Sequence, residues 1–269
     1  MSFTTQIKDE ITKIYNNTPE DLISLLVYLS FNSTITDDEI LIYTENASVA
    51  RWLFKLLKIF YNVEIRLTVR TIKRFRKKNI YILEIKEKKD IIVSDINNTL
   101  ANINEASKEE KVAFLKGIFL SCGSVNDPKK NKYHLEFFTK EKSKATLINK
   151  LLHDLNLNSK ILKREKEYMV YIKKSENIAD LINYLGAINS LFYFEYIRIY
   201  KDHKNMVNRL NNCEQANVEK SLKSSKLVLD NIKYLEDNDL INLLDDRAKE
   251  IISYKKKYPD TSMGELAEI

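Results

Sequence analysis

Apolar residues at Phe3, Ile7, Ile11 and Ile14 recur at helical spacing and predict a helix over residues 3–15. Thr18-Pro19-Glu20-Asp21 then reads as a helix start, with a capping residue, proline in the first turn and acids where the helix dipole favours them. Its apolar run continues through residues 22–29. Residues 39–44 read as a strand. Val49, Trp52, Leu53, Leu56, Leu57 and Phe60 form one stripe of a helix over 46–60. Residues 63–69 and 79–86 alternate between apolar and polar and predict a β-hairpin turning around 70–78. Helix returns at 91–100. The same order follows again: helix 108–120, strand 133–139, helix 141–155, hairpin strands 159–163 and 167–173, and helix 177–185.

Helix-strand-helix-strand-strand-helix is thus written twice. An offset of 91 lays Leu29-Ser30-Phe31-Asn32-Ser33 over Leu120-Ser121-Cys122-Gly123-Ser124. Ile23, Val27 and Tyr28 then match Phe114, Ile118 and Phe119 in character. The expectation is an α+β fold of two αβαββα repeats. Their first helices would pack face to face about a pseudo-twofold axis, with small residues at the helix ends allowing close approach.

Beyond residue 186 the pattern is helical. Residues 188–199 are aromatic and apolar and predict a helix closing the repeats. From Lys201 the chain is polar, with helices over 208–217 and 218–235, the latter with Val228, Ile232 and Leu235 on a narrow stripe. A further helix over 240–258 is stopped by Pro259. Asp260-Thr261-Ser262 caps a last one holding Met263, Leu266, Ala267 and Ile269. The predicted division is 1–104 and 105–200 for the repeats, 201–238 for an all-α linker, and 239–269 for a last small helical domain.

Composition narrows the function. Four glycines and three prolines in 269 residues are roughly a quarter of the ordinary share. Neither G-x-G-x-x-G nor G-x-x-x-x-G-K-[ST] occurs, so a dinucleotide fold or P-loop nucleotide hydrolase is excluded. Cys122 and Cys213 cannot build a disulfide framework and point to a reducing compartment. The polar start carries Asp9 and Glu10 and does not read as a signal peptide. The apolar run 22–31 is about half a membrane span. A cytoplasmic protein is expected, with no membrane partner, small-molecule substrate or cofactor. His134, His153 and His203 read as ordinary polar residues and show no zinc-ligand spacing with the cysteines. Cys122 reads as a small buried residue.

The net charge is +6, but its distribution says more. Residues 66–78 hold seven bases and no acid: Arg66, Arg70, Lys73, Arg74, Arg76, Lys77 and Lys78. Residues 1–60 hold five bases and eight acids. The equivalent hairpin of the second repeat carries Lys160, Lys163, Arg164, Lys166, Lys173 and Lys174, tempered by Glu165 and Glu167, with Lys129, Lys130 and Lys132 just before its first strand. In both copies the hairpin is the basic element. A saddle of two such hairpins would meet the phosphate lines of duplex DNA, so these residues are the candidate backbone contacts.

Phe114-Leu115-Lys116-Gly117-Ile118-Phe119-Leu120-Ser121-Cys122-Gly123 resembles the motif helix of the LAGLIDADG homing endonucleases, with Gly117 and Gly123 on its two glycines. That resemblance implies an acidic metal ligand just before the last glycine. Cys122 stands there, and in the first repeat the offset of 91 puts Phe31 there. Neither is a hard oxygen ligand, so the catalytic and metal positions are expected to be lost.

A closer resemblance is to the WhiA family of bacterial regulators. It rests on residues 114–128 followed by Tyr133-His134-Leu135-Glu136, on Asn208-Arg209 and Asn212-Cys213-Glu214-x-Ala216-Asn217, and on residues 258–266. It implies a degenerate LAGLIDADG-like domain joined by a helical linker to a C-terminal helix-turn-helix. It further implies double-stranded DNA as partner and a nucleoid-associated role in sporulation control or in cell division and chromosome segregation. Another transcription or division regulator is a second expected partner. Asn208, Arg209, Asn212, Cys213, Glu214 and Asn217 form its linker motif, read here as architectural. Thr261, Ser262, Glu265 and Leu266 open the helix-turn-helix. The chain ends at Ile269 inside what reads as the first helix of that pair, so the expectation is a partial motif: the family's recognition helix would lie beyond it, and either the chain is a truncated version or the reading element is missing. Two other classes stay open: a protein-interaction scaffold on the same fold, and a residual metal-dependent homing endonuclease.

Overall fold

The structure is a computed structural model and describes residues 2–72, 78–130 and 132–268, apart from the side chains of Lys78 and Met263. Contacts divide the chain into two units, Met1–Ile199 and Tyr200–Ile269.

The first unit opens with helix α1 (Phe3–Ile11) and continues with α2 (Pro19–Asn32), strands β1 (Ser33–Ile35) and β2 (Ile40–Thr44), α3 (Ala47–Tyr61), β3 (Ile65–Ile72), β4 (Lys78–Ile85) and α4 (Lys89–Ala101). The second copy runs α5 (Lys108–Cys122), β5 (Gly123–Val125), β6 (Leu135–Thr139), α6 (Lys142–Asp154), β7 (Lys160–Lys163), β8 (Tyr168–Ile172) and α7 (Ser175–Tyr184). The two antiparallel sheets have the same wiring, β1-β2-β4-β3 and β5-β6-β8-β7. Each repeat therefore has one strand more than the periodicity predicts. β1 and β5 span three residues each and leave the helix end without a turn, too short to show alternation.

The added strands set the register of the repeat. Ser33 pairs with Ile42 and Gly123 with Phe137, and Ile42 and Phe137 are each the middle residue of a five-residue strand. Ser33 is thus the counterpart of Gly123, an offset of 90 rather than 91 at the helix ends. Asn32, not Phe31, stands opposite Cys122.

α2 and α5 form the centre of the unit. Each starts on a cap built from its own sequence: Asp21 accepts from the Thr18 amide at 3.4 Å, and Ser107 accepts from the Glu110 amide at 3.2 Å. Their apolar residues are buried almost all round, as in a helix enclosed on every side. They cross at Gly117. A methyl group there would lie 2.4 Å from the Ser24 carbonyl oxygen and 3.0 Å from Val27 Cβ. Ser24 seals the crossing, its hydroxyl donating to the Ala113 carbonyl at 3.0 Å. Gly123 has a different reason for being glycine: a side chain would strike Phe119 of its own helix rather than α2.

α1 is pinned to the end of α5. The Lys8 ammonium donates to the Leu120 carbonyl at 3.0 Å, and the Thr4 hydroxyl exchanges hydrogen bonds with the Val125 backbone at 2.8 and 2.9 Å. Glu10 caps the next helix, α8 (Ile188–Asp237). Its carboxylate accepts from the amides of Asn189 and Ser190 at 2.6 and 3.0 Å, where the dipole favours negative charge. Phe194 of α8 is buried and stacks on Phe3 with ring centroids 6.3 Å apart.

α8 replaces the three helices read over 188–235. No glycine or proline occurs between Ile188 and Asp237, so no residue forces a stop. In the second unit it is followed by a 3₁₀ turn (Leu240–Leu243), α9 (Asp246–Lys257) and α10 (Met263–Leu266). The single helix expected over 240–258 is broken because Leu244 takes an extended conformation and Asp245 caps a new start, accepting from the Ala248 amide at 2.9 Å. Lys255 is fully buried here. Its ammonium donates to Ser225 Oγ at 2.5 Å, to the Pro259 carbonyl at 2.9 Å and to the Thr261 carbonyl, so all three donors are satisfied.

Gly117→Ala should destabilise the first unit by about 1–3 kcal/mol, because the added methyl must push the crossing apart. Urea unfolding read through Trp52, the single tryptophan and buried in this unit, measures it. An unchanged midpoint would place the tight crossing elsewhere.

Candidate nucleic-acid interface

In each sheet the pleat sends alternate residues to opposite faces. Ile40, Ile42, Leu83 and Ile85 of the first sheet, and Leu135, Phe137, Val170 and Ile172 of the second, are fully buried against the helices. The other face carries Arg66, Arg70 and Lys160. Arg66 and Arg70 are exposed on β3, across from Glu84 and Ile80. Glu84 is held below the usual carboxylate range chiefly by Lys86 at 3.2 Å, and Arg66 adds to the effect.

On the second sheet Lys160 lies across from Tyr171 on this same face, whereas Lys163, at the end of β7, pairs with Tyr168 in phase with the buried Val170 and Ile172 and so lies on the opposite face; both are exposed. Arg164 follows, with its guanidinium 5.6 Å from the Phe138 ring centre. Lys173 lies 5.0 Å from the Tyr171 ring, and His134 stacks on Tyr171 at 5.7 Å while bonding Glu136 at 3.0 Å. Basic groups and aromatic rings therefore alternate here, a surface suited to phosphates and to flat π-systems. The charge count alone missed Phe138 and Tyr171. The alternation of β6 and β8 carries the signal, since both are out of phase with the buried Phe137, Val170 and Ile172.

Not every predicted contact joins this surface. Lys129 lies with its ammonium 5.8 Å from the Tyr193 ring, on α8 rather than on the hairpin. Lys130 and Lys132 are exposed in the segment between β5 and β6. Lys73, Arg74, Arg76 and Lys77 lie outside the described residues, and Lys78 is described only as the backbone start of β4.

The helix ends meet at a cavity of about 340 Å³ lined by Phe31, Asn32, Cys122, Phe138, Lys144 and Glu167, among others. The LAGLIDADG resemblance implies a divalent metal at this place, and the residues present do not fit one. The Asn32 amide donates to Tyr28 OH at 2.7 Å and to the Tyr43 carbonyl at 2.9 Å. The Cys122 thiol points back to the Ile118 carbonyl at 3.4 Å, and burial pushes its pKa up, which keeps it neutral. Lys144 covers the Phe31 ring at 5.3 Å and pairs with Glu141 at 2.8 Å. At the two helix ends an amide and a neutral thiol offer a hard cation no carboxylate, and of the two glutamates lining the cavity, Glu141 and Glu167, Glu141 is paired with Lys144. Among the described residues no group of three or more His, Cys, Asp or Glu side chains could hold a metal.

In the second unit Asn208, Arg209, Asn212, Cys213, Glu214 and Asn217 are all exposed on α8, and the Asn217 amide lies 3.8 Å from Cys213 Sγ. Ser262 caps α10 reciprocally with Glu265. Its amide donates to the Glu265 carboxylate at 2.8 Å, and its hydroxyl accepts from the Glu265 amide at 3.3 Å. Those bonds hold Glu265 below the usual carboxylate range. Thr261 supplies the carbonyl that Lys255 grips, and Leu266 is half-buried. No helix among the described residues is long and apolar enough to cross a membrane.

Three family models match along the chain: the WhiA N-terminal LAGLIDADG-like domain over residues 33–100, the WhiA LAGLIDADG-like domain over 111–204, and the WhiA C-terminal HTH domain over 207–269. Two curated relatives, from Bacillus cytotoxicus and Bacillus cereus strain AH187, are both named probable cell division protein WhiA. Each is 36% identical over the whole chain and 89% of its own length. The crystal structure of full-length DUF199/WhiA from Thermotoga maritima superposes with a TM-score of 0.61 at 19% identity, covering all of this chain and 91% of that one. It shares the fold.

Burial holds Lys8 at about 8 against its ordinary 10.5. Between those values the unfolded chain binds more protons than the folded one, so Lys8 makes stability rise with pH through that window. Cys122, raised by burial, works the other way, so the difference between parent and variant is the measure. Lys8→Met should remove the rise that Lys8 contributes, seen by urea unfolding at pH about 8 and about 10. Parallel pH profiles would show that the Lys8 ammonium is solvated.

Proposed function

The chain belongs to the WhiA family, and on that premise we propose that it is a non-catalytic, DNA-binding regulator acting in cell division and chromosome segregation, or in sporulation control where the cell sporulates. The observation that carries the DNA part is the recurrence of exposed bases on the edge strand of both sheets. Arg66 and Arg70 lie on β3, and Lys160 and Lys163 on β7, with Arg164 directly after it. The helix-turn-helix family match over 207–269 supports the same reading. The cell-division role follows the names of the Bacillus relatives.

The helix-end chemistry supports the absence of catalysis. Asn32 and Cys122 stand where a phosphodiester-cleaving site needs two carboxylates, and Lys8 and Lys144 lie beside them. Phosphate contacts of the hairpin residues would position the duplex and carry no sequence information. Thr261, Ser262, Glu265 and Leu266 would support base readout by the helix-turn-helix, and the linker motif from Asn208 to Asn217 would serve the architecture between domains.

One observation favours a second reading for the sheets. Leu41, Tyr43, Ile80 and Ile82 share the outer face of the first sheet with Arg66 and Arg70, and Tyr43 is 45% exposed. An apolar patch of that kind suits a protein partner, such as another transcription or division regulator.

A gel-shift titration against salt tests the main reading. Each phosphate contact contributes about 0.9 to the log–log salt slope, so Arg66→Gln with Arg70→Gln should lower it by about 2. Binding that ignores both substitutions, together with loss of a protein partner on Tyr43→Asp, would favour the scaffold reading. Nicking of plasmid DNA in Mg²⁺ or Mn²⁺ would overturn the non-catalytic one.

A further inference from the structure

α8 carries a second pattern that DNA binding does not use. Starting at Phe192, the positions Phe192, Tyr196, Ile199, His203, Met206, Leu210, Cys213 and Asn217 are spaced alternately by four and three residues. That spacing is the heptad seam of a coiled coil, sustained over eight successive a and d positions. In a helix packed on its own fold such a stripe covers a core. Here all eight residues are exposed, with Phe192, Tyr196, Ile199 and Met206 above 60%. In the first unit it is the neighbouring face, with Phe194 and Ile197, that is buried. In the second, residues 202–224 are exposed on every side of the helix.

We infer that α8 pairs through this seam with α8 of a second copy of the chain, as a parallel two-stranded coiled coil in matched register. Three features select this occupant and this direction. Arg209 falls at a g position and Glu214 at the following e position, the pair that faces across a parallel dimer and has opposite charge here. Asn217 falls at an a position, where a lone asparagine pairs with its own copy and specifies a two-stranded, in-register assembly. His203 likewise meets His203, so polar layers face polar layers. The antiparallel register that would pair Asp202 with Arg209 instead sets Asn217 against Phe192. Tyr200 and Val207, both exposed, flank the seam at e positions and widen its apolar strip.

A bare helix gains little from its own hydrogen bonds in water, and most helices are stabilised by burying one face. The seam supplies that face. Its residues are distinct from Arg66, Arg70, Lys160 and Lys163, so self-association and hairpin–phosphate contact are separate properties.

Cys213 at a d position makes the inference testable on the full chain. In a parallel in-register pair the two Cys213 thiols face each other, and both are free and exposed. Sedimentation equilibrium should give twice the 31.6 kDa chain mass. A short bis-maleimide should yield a covalent dimer that Cys213→Ser abolishes. Ile199→Glu with Leu210→Glu should return the mass to that of one chain and remove the cross-link while leaving the helical circular dichroism intact. If that variant loses its helicity, the parent cross-link alone decides. A monomer at the highest soluble concentration overturns the inference, as does a dimer that neither cross-links at Cys213 nor responds to the two glutamates.

Discussion

The crossing of α2 and α5 at Gly117 is the constraint on which the first unit depends. Two helices approach closely enough that the Ser24 carbonyl occupies the space a side chain at 117 would take. Both helices are buried on nearly every face, so each must be apolar almost all round, and the sequence meets that demand in residues 22–29 and 113–120. Each then runs directly into a three-residue strand, and that strand sets the register of its sheet. The two sheets are thus hung from one crossing, and a displacement there would be passed to both.

The same crossing brings two helix C-termini together, and this is the place where the fold could do chemistry. Carboxylates at the last helical residues would face one another across the pseudo-twofold axis. The chain instead has Asn32, whose amide is consumed by Tyr28 and Tyr43, and Cys122, whose thiol is too buried to ionise readily. Lys8 gives the end of α5 a cation bonded to the Leu120 carbonyl, which favours the C-terminal end of the dipole. At the helix ends these side chains are engaged in hydrogen bonds within the fold.

Element positions were largely legible because periodicity and caps are local. Thr18-Pro19-Glu20-Asp21, Asn46 and Ser262 each sit at the start of a helix. The basic hairpins were legible for the same reason, since a run such as Arg66 to Arg70 needs no partner to be seen. What escaped was short or relational. β1 and β5 are too brief to alternate. The repeat offset of 91 came from matching Leu29 to Leu120, whereas the strand ladder aligns Ser33 with Gly123 and shifts the lost ligand position from Phe31 to Asn32. Lys129 belongs by sequence to the second basic cluster and by structure lies against Tyr193.

By itself, then, the sequence determined the α+β class, the duplication, the two basic hairpins and the family resemblance, because each is written in residues close together along the chain. The scarcity of glycine and proline also determined that residues 188–237 continue as one helix, although the separate polar segments hid it. Only the tertiary structure decided on which face of its sheet each basic residue lies, which residue of the first repeat stands opposite Cys122, and why Gly123 is glycine. Those facts depend on hydrogen-bond register and on the distance between residues remote in sequence, and no local pattern records either.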